Sequence, residues 1–368
     1  MTSTGLTVTQ DDIDELVYGA AVLGTGGGGD PYLGRLILHQ ELEESGCVEL
    51  LDPQDLCDEA HVAAIGVVGA PVVLLERFPN LKSFQKCVDT IEMLTGRRID
   101  AVIPSEAGGL NGTLPIVIGK SLGLPTIDGD GMGRAFPEGQ MMTFGIYGGR
   151  LGPMVIVDDH LNTAIIDSNE NSTTEHIGRG VVDRMKGLGM AAVYPMSGSH
   201  VKKTAVRRSL TNALEIGRSV FAARRGRRDP VDALVKHFTN LPGKARFAKL
   251  LFRGKIARLP IETEGGFTHG RIELVGFEKG ETSCTIVFQN ENLSVQIDDK
   301  VVALVPDLII IVDLDRAEPI TTENLRFGQR VAVLGIAAPD LLRTPEALAV
   351  VGPRCFGLDY DYTRLEDF

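Results

Sequence analysis

Apolar positions keep helical spacing at the start of the chain and give way to short strand-like runs towards its end. Ile13, Leu16, Val17, Ala20 and Ala21 recur at three and four residues, which predicts an amphipathic helix. The pattern stops at Gly24-Thr25-Gly26-Gly27-Gly28-Gly29-Asp30-Pro31, where Asp30 can cap and Pro31 can open a second helix from Tyr32 onward. The continuous apolar run His61 to Val68, closed by Gly69-Ala70-Pro71, reads as a strand buried on both faces. Leu81, Phe84, Val88, Ile91 and Leu94 predict a helix over Asn80 to Thr95, followed by a strand over Ile99 to Ile103 that delivers Pro104-Ser105-Glu106-Ala107-Gly108-Gly109.

The alternation continues. A helix is predicted over Leu114 to Leu122, and a short strand at Thr126-Ile127 runs into Asp128-Gly129-Asp130-Gly131-Met132-Gly133-Arg134. Strands over Met154 to Val157 and Thr163 to Ile166, a helix over Glu175 to Met185 and a strand over Ala191 to Tyr194 follow, and Ser197-Gly198-Ser199-His200 opens a long helix through Leu210, Leu214 and Val220. This predicts an α/β domain over residues 1–245, layered on a largely parallel or mixed sheet. From Arg246 the texture changes to runs rich in Val, Ile, Phe and Thr, such as Ile256 to Ile261, Gly270 to Val275, Cys284 to Phe288, Val301 to Val305 and Val331 to Leu334. They predict a mostly β domain over residues 246–368, packed against the first with no tether between them.

Composition narrows the class. A chain of 368 residues, 43% of them hydrophobic, can bury a large core. Its apolar run Val301 to Val312 is broken by Pro306 and Asp307 short of a bilayer span, and the first residues do not read as a signal sequence, so no membrane partner is expected. The five cysteines are scattered without a C-x-x-C pair, which fits a reducing cytoplasm. A net charge of −12 disfavours a nucleic-acid partner, yet Lys202 to Arg258 holds sixteen basic residues against three acidic ones. Without interleaved aromatics that stretch reads as a solvated helix face or an oligomer contact, and a homo-oligomer is expected.

The chemistry centres on the glycine corner. Five glycines in positions 24–29 leave the backbone open, so the amides of Gly26, Gly27, Gly28 and Gly29 can approach an anion or a carbonyl oxygen of a small-molecule substrate. Gly24, Gly26 and Gly29 match G-x-G-x-x-G, but a dinucleotide site needs a strand before that motif and here a helix precedes it. Glu106 stands in a turn followed by glycines, with the access that a general base needs. Asp128 and Asp130 alternate with glycine and can flank a pocket, hold a divalent cation or brace a turn. Arg134 and Glu138 can orient a carboxylate substrate or pair with one another. His160 and His200 are candidate proton carriers or metal ligands, without the spacing of a zinc motif. Ser105 and Ser197 lack the G-x-S-x-G elbow of a serine nucleophile.

Taken together, Gly24 to Pro31, Ser105 to Gly109, the block Asp128 to Glu138 and the closing Gly352-Pro353-Arg354 with Phe356-Gly357 resemble the S-methyl thiohydantoin desulfurase family. The resemblance spans nearly the whole chain, and family profiles divide near residue 170. It implies an N-terminal α/β domain, a C-terminal mainly β domain, and hydrolysis of an S-methylated thiohydantoin to a hydantoin and methanethiol. That chemistry needs water attack at C2, a base, donors for the accumulating charge and an acid for the leaving sulfur, but no redox cofactor. The expected roles are base for one of Glu106, Asp128 and Asp130, donor for the Gly26 to Gly29 amides, acid for His200 or His160, and substrate binding for Arg134. A metal-assisted version uses a divalent ion such as zinc on Asp128, Asp130, His160 or His200. The alternative is a nucleotide-binding or ATP-assisted partner subunit of a hydantoinase or oxoprolinase, its glycine loop on phosphate and Asp128 or Asp130 on magnesium.

Overall fold

A computed structural model describes residues 5–69, 73, 77, 79–240, 246–264, 267–277 and 282–368. The predicted turn at Ala70-Pro71 and the predicted boundary at residue 245 lie outside them. The first helix, α1 (Ile13–Leu23), enters the glycine corner, and α2 (Pro31–Ser45) leaves it, with the Asp30 carboxylate accepting the Tyr32 N–H at 2.8 Å. The corner is thus the helix-to-helix junction that the spacing predicts.

A mixed sheet follows. Its strands are β1 (Thr7–Thr9), β2 (Cys47–Leu51), β3 (His61–Gly69), β4 (Ala101–Pro104), β5 (Thr126–Ile127), β7 (Met154–Val157), β8 (Thr163–Ile166) and β9 (Leu188–Ser197), in the order β1-β2-β5-β4-β3-β9-β7-β8. The four strands β2, β5, β4 and β3 are parallel, while β9 runs antiparallel to β3. Helices α3 (Leu81–Thr95) and α4 (Gly109–Leu122) pack on one face through Phe84, Val88, Ile91, Leu110 and Leu114. The helix α4 starts five residues before the expected Leu114, with Pro115 inside it.

Helix α5 (Thr143–Ile146) and helix α6 (Asn171–Arg184) lie on the other side, with α6 preceding β9. The long helix predicted from His200 through Val220 is instead broken into α7 (Gly198–Thr204), a strand β10 (Val206–Arg207) and α8 (Ser209–Arg225). The break falls at Arg208, whose φ of 58° is left-handed and ends any regular helix. Strand β10 then pairs with β6 (Gly129–Asp130).

Helix α9 (Pro230–Thr239) leads to an antiparallel sheet of β11 (Ala248–Arg258), β12 (Ile261–Glu264), β13 (Phe267–Gly276), β14 (Ser283–Gln289), β15 (Glu291–Ile297), β16 (Lys300–Leu304), β17 (Leu308–Asp313) and β18 (Arg330–Ile336). The order is β16-β15-β14-β13-β11-β18-β17, with β12 paired to β13. One core joins the two parts: Ile13, Leu16 and Val22 of α1 and Leu210, Leu214 and Val220 of α8 pack with Ile310 and Leu334 of the second sheet. A last helix, α10 (Pro345–Val351), packs into the core beneath the first sheet. Among the described residues no helix is long and apolar enough to cross a membrane, and all five cysteines are free.

Helices α1 and α8 cross at glycines. A Cβ on Gly19 would stand 1.7 Å from the Ala213 carbonyl oxygen, and one on Gly217 would stand 1.9 Å from that of Glu15. Gly19→Val is therefore expected to cost about 3 kcal/mol by overpacking. Gly96→Ala, at an open left-handed turn with nothing within 4 Å, is expected to cost about 1 kcal/mol. Urea unfolding of the two variants checks the contrast; a Gly19→Val protein no weaker than Gly96→Ala contradicts this packing.

Candidate active site

The carboxyl end of β4 meets the glycine corner. Asp130 holds the turn there, its Oδ2 accepting the N–H of Ala107 at 2.9 Å, of Met132 at 3.1 Å and of Gly133 at 2.7 Å. This fixes Glu106, one residue upstream, over a cavity of about 90 Å³ that Gly28 and Gly29 also line. Asn111 on α4 is the hub. Its Nδ2 donates to Glu106 Oε1 at 2.8 Å, its Oδ1 accepts the Val67 N–H of β3 at 2.8 Å, and its own N–H donates to the Gly28 carbonyl at 3.2 Å.

The corner is glycine-rich because other segments of the chain press on it. A Cβ on Gly28, at φ 79°, would meet the Gly108 carbonyl at 2.5 Å, and one on Gly27 would stand 2.0 Å from Glu291 Oε1. The corner's carbonyls are spent inside the protein: that of Gly26 accepts the Thr322 N–H at 2.9 Å and that of Gly24 accepts the Gly27 N–H at 2.8 Å. For the N–H groups of Gly28 and Gly29 there is no acceptor among the described residues.

The second carboxyl of the cavity is Glu291, which the sequence reading missed. It opens β15 just after the sharp turn at Asn290, whose φ is 55°, and the hairpin carries it from the second sheet to the corner. Glu106 and Glu291 are both buried, and the Oε2 of each is enclosed without a hydrogen-bond partner among the described residues. Burial raises the Glu106 carboxyl to about 7, against a partial pull from the Asn111 hydrogen bond. Burial and the neighbouring Glu106 charge push Glu291 well above the ordinary glutamate range. One wall is apolar, with Met132, Phe136, Met142, Leu151, Met154 and Val193. The lining also carries Glu138, Glu175 and Arg179, the Arg179 Nε donating to Glu175 at 2.6 Å and its guanidinium lying 4.7 Å over the Phe267 ring.

The remaining expected residues lie elsewhere. Arg134 does not line the cavity: it has no solvent exposure, and donates to the carbonyls of Ala135 at 2.9 Å, Asp307 at 2.9 Å and Asn292 at 3.1 Å. Asp128 caps α8, accepting the N–H groups of Leu210 at 3.1 Å and Thr211 at 3.0 Å, and the Thr211 hydroxyl. His200 falls at the far end of the sheet, because β9 runs antiparallel and its last residue, Ser197, pairs with the first residue of β3, His61. The His200 Nε2 lies 3.0 Å from the Phe144 carbonyl. The His160 side chain is 68% exposed beside Asp159, near the Arg77 salt bridge. The glycine corner and Glu106 therefore share one cavity, with Asp130 behind the turn, while Asp128, His160 and His200 lie away from it. Among the described residues no three His, Cys, Asp or Glu side chains gather into a metal-binding group, so the four candidate ligands do not fit a shared ion.

The profile of the S-Me-THD-like N-terminal domain matches residues 11–168, and that of the S-Me-THD-like C-terminal domain matches residues 168–365. The chain belongs to the S-Me-THD-like family. No curated protein matches the sequence significantly. A crystal structure of a protein from Chromobacterium violaceum superposes with a TM-score of 0.80 at 21% identity, covering 98% of this chain and 100% of that one, which shows a shared fold. In this S-Me-THD-like chain both matched domains supply the cavity, Glu106 from the first and Glu291 from the second.

The raised Glu106 carboxyl has a signed consequence. Between pH 4.5 and about 7 the unfolded chain releases this proton while the folded chain keeps it, so stability is greatest below the window and falls as pH rises through it. The stability of the wild type relative to Glu106→Gln is expected to fall by roughly 3 kcal/mol across that window. Urea melts at a series of pH values measure this; a difference that stays flat overturns the reading of Glu106 as a buried carboxyl ionising near neutrality.

Proposed function

We propose that the cavity hydrolyses an S-methyl thiohydantoin to the hydantoin and methanethiol. The observation that carries this reading is the pair of buried carboxyls, Glu106 and Glu291, each with an unpartnered oxygen, on one small cavity of a chain of this family. At neutral pH Glu106 is in part ionised and Glu291 is held protonated, so the site offers a base and an acid together.

In this scheme Glu106 takes a proton from water as its oxygen bonds to C2, and the C2=N electron pair moves to the ring nitrogen, which takes the proton of Glu291. The tetrahedral carbon then carries hydroxyl and methylthio groups. Its hydroxyl proton returns to Glu291, the C2–S bond breaks, and the methanethiolate takes the proton held by Glu106. Both carboxyls regain their starting states, and one water has become the new carbonyl oxygen, the ring N–H proton and the thiol proton. The free N–H groups of Gly28 and Gly29 serve as donors to charge building on the ring or the added oxygen. The apolar methionine wall suits the methylthio group, whose polarisable sulfur it matches. No electron transfer enters the scheme, so no redox cofactor is part of it.

The nucleotide alternative finds less support. The cavity presents four carboxyls against one guanidinium, Arg179, itself bound to Glu175, and the N terminus of α2 is closed by its own Asp30. A polyphosphate has little cation to meet there.

Thiol release from an S-methyl thiohydantoin tests the proposal. Glu106→Gln is expected to lower kcat by roughly 10²-fold or more while KM stays within several-fold. Asp128→Asn is expected to lower stability by about 1 kcal/mol through its weakened helix cap, with kcat within a few-fold of wild type. Normal turnover by Glu106→Gln, or its loss in a folded Asp128→Asn protein, removes Glu106 from the role of base. Tighter melting with Mg-ATP would favour the nucleotide alternative.

A further inference from the structure

The basic stretch Lys202 to Arg258 is not used by the cavity above, and part of it converges on a second one. Between β10, the start of α8, Arg246 and Pro339 lies a cavity of about 180 Å³, ample for a tetrahedral oxyanion. Three arginines line it, Arg207, Arg208 and Arg246, together with Asn212 and one carboxylate, Glu215. Arg207 is tied at 3.1 Å to Asp52, leaving Arg208 and Arg246 against Glu215 to set the charge of the space.

Arg246 is the sharper observation. Its Nε donates to the Ala337 carbonyl at 2.5 Å and its guanidinium lies 5.4 Å from the Phe238 ring centroid, but its Nη2 is fully buried with no hydrogen-bond partner among the described residues. A buried guanidinium N–H left unpaired costs free energy, and cavities that keep one are shaped for an acceptor. Asp307 and Asp340 attract this cation through space without bonding to it, and the Asp307 carboxylate is already engaged by Arg343, Tyr362 and the Ala338 N–H.

Arg208 is the second, independent observation. It is a non-glycine residue held at φ 58°, a conformation that the surrounding structure must impose, and its exposed guanidinium attracts the carboxylates of Asp52 and Asp128 through space without a hydrogen bond or close ion pair among the described residues. The left-handed turn breaks what would be one helix and places this guanidinium at the rim of the same cavity as Arg246. In a chain of net charge −12, the unbonded Nη2 of Arg246 and the nearby Arg208 guanidinium put local positive charge on one cavity.

We propose that this second cavity binds a small oxyanion, carboxylate or phosphate in type, between the Arg246 Nη2 and the Arg208 guanidinium. Calorimetric titration of the full chain with inorganic phosphate, and separately with acetate, at an ionic strength fixed by sodium chloride, tests it. Saturable one-site binding of at least one anion is expected, and the anion that binds identifies the ligand type. Arg208→Gln should weaken the affinity about tenfold, the scale of one lost charge-assisted hydrogen bond, without changing the melting temperature of the unliganded protein. Arg246→Lys should weaken it at least as much; because Arg246 also braces Ala337 and Phe238, Arg208→Gln is the deciding variant. No saturable binding of either anion, or an affinity unchanged in Arg208→Gln, overturns the proposal.

Discussion

A guanidinium sealed from water must find its acceptors inside the protein, and Arg134 finds them on both sides of the join between the two sheets. One carbonyl is that of its neighbour Ala135; the other two belong to Asn292 and Asp307, at the start of β15 and just before β17. Burial costs a charge several kcal/mol, and only well-placed acceptors offset it. The geometry of this contact is therefore stiff, and Glu291 is the residue adjacent to one of its anchors. The facing of Glu291 and Glu106 follows from where Arg134 must sit.

The same cation shapes the electrostatics. Burial lowers the Arg134 pKa to about 10, still far above neutrality, so the side chain remains charged beside two carboxyls that burial pushes upward. Its attraction keeps Glu106 from rising further, and Asp130, itself raised to about 6 by burial, adds a repulsion. The outcome is a carboxyl poised near the pH at which it is asked to lose and regain a proton.

Much of the first half was legible because its signals are local. The helix before the glycine corner, the Asp30 cap, Pro31 at the first turn and the buried run of β3 each depend on residues a few positions apart, and Glu106 stood out through its glycine neighbours. Glu291 offered no such sign: its neighbours Asn290 and Asn292 suggest only a turn, and its partner Glu106 is brought to it by a tertiary contact between the sheets. Arg134 misled for the opposite reason, since a charged residue in a glycine-rich block reads as exposed until the carbonyls that bury it are known. His200 failed on strand direction. A residue after a strand lies at the ligand end of a parallel sheet, and the antiparallel run of β9 could not be read from its apolar residues alone.

The position of β9 bears on the order in which the chain can fold as it is made. This strand, residues 188–197, fills the place between β3 and β7, and it lies beyond residue 168, where the two family profiles meet. A nascent chain that has emerged only to residue 168 holds β3 with one edge unpaired, α1 without α8 against its Gly19, and Arg134 without two of its three acceptors. Open strand edges invite association with other chains. Synthesis of this protein therefore passes through a long interval in which the first half is written but not closed, and its completion awaits strands translated more than a hundred residues later.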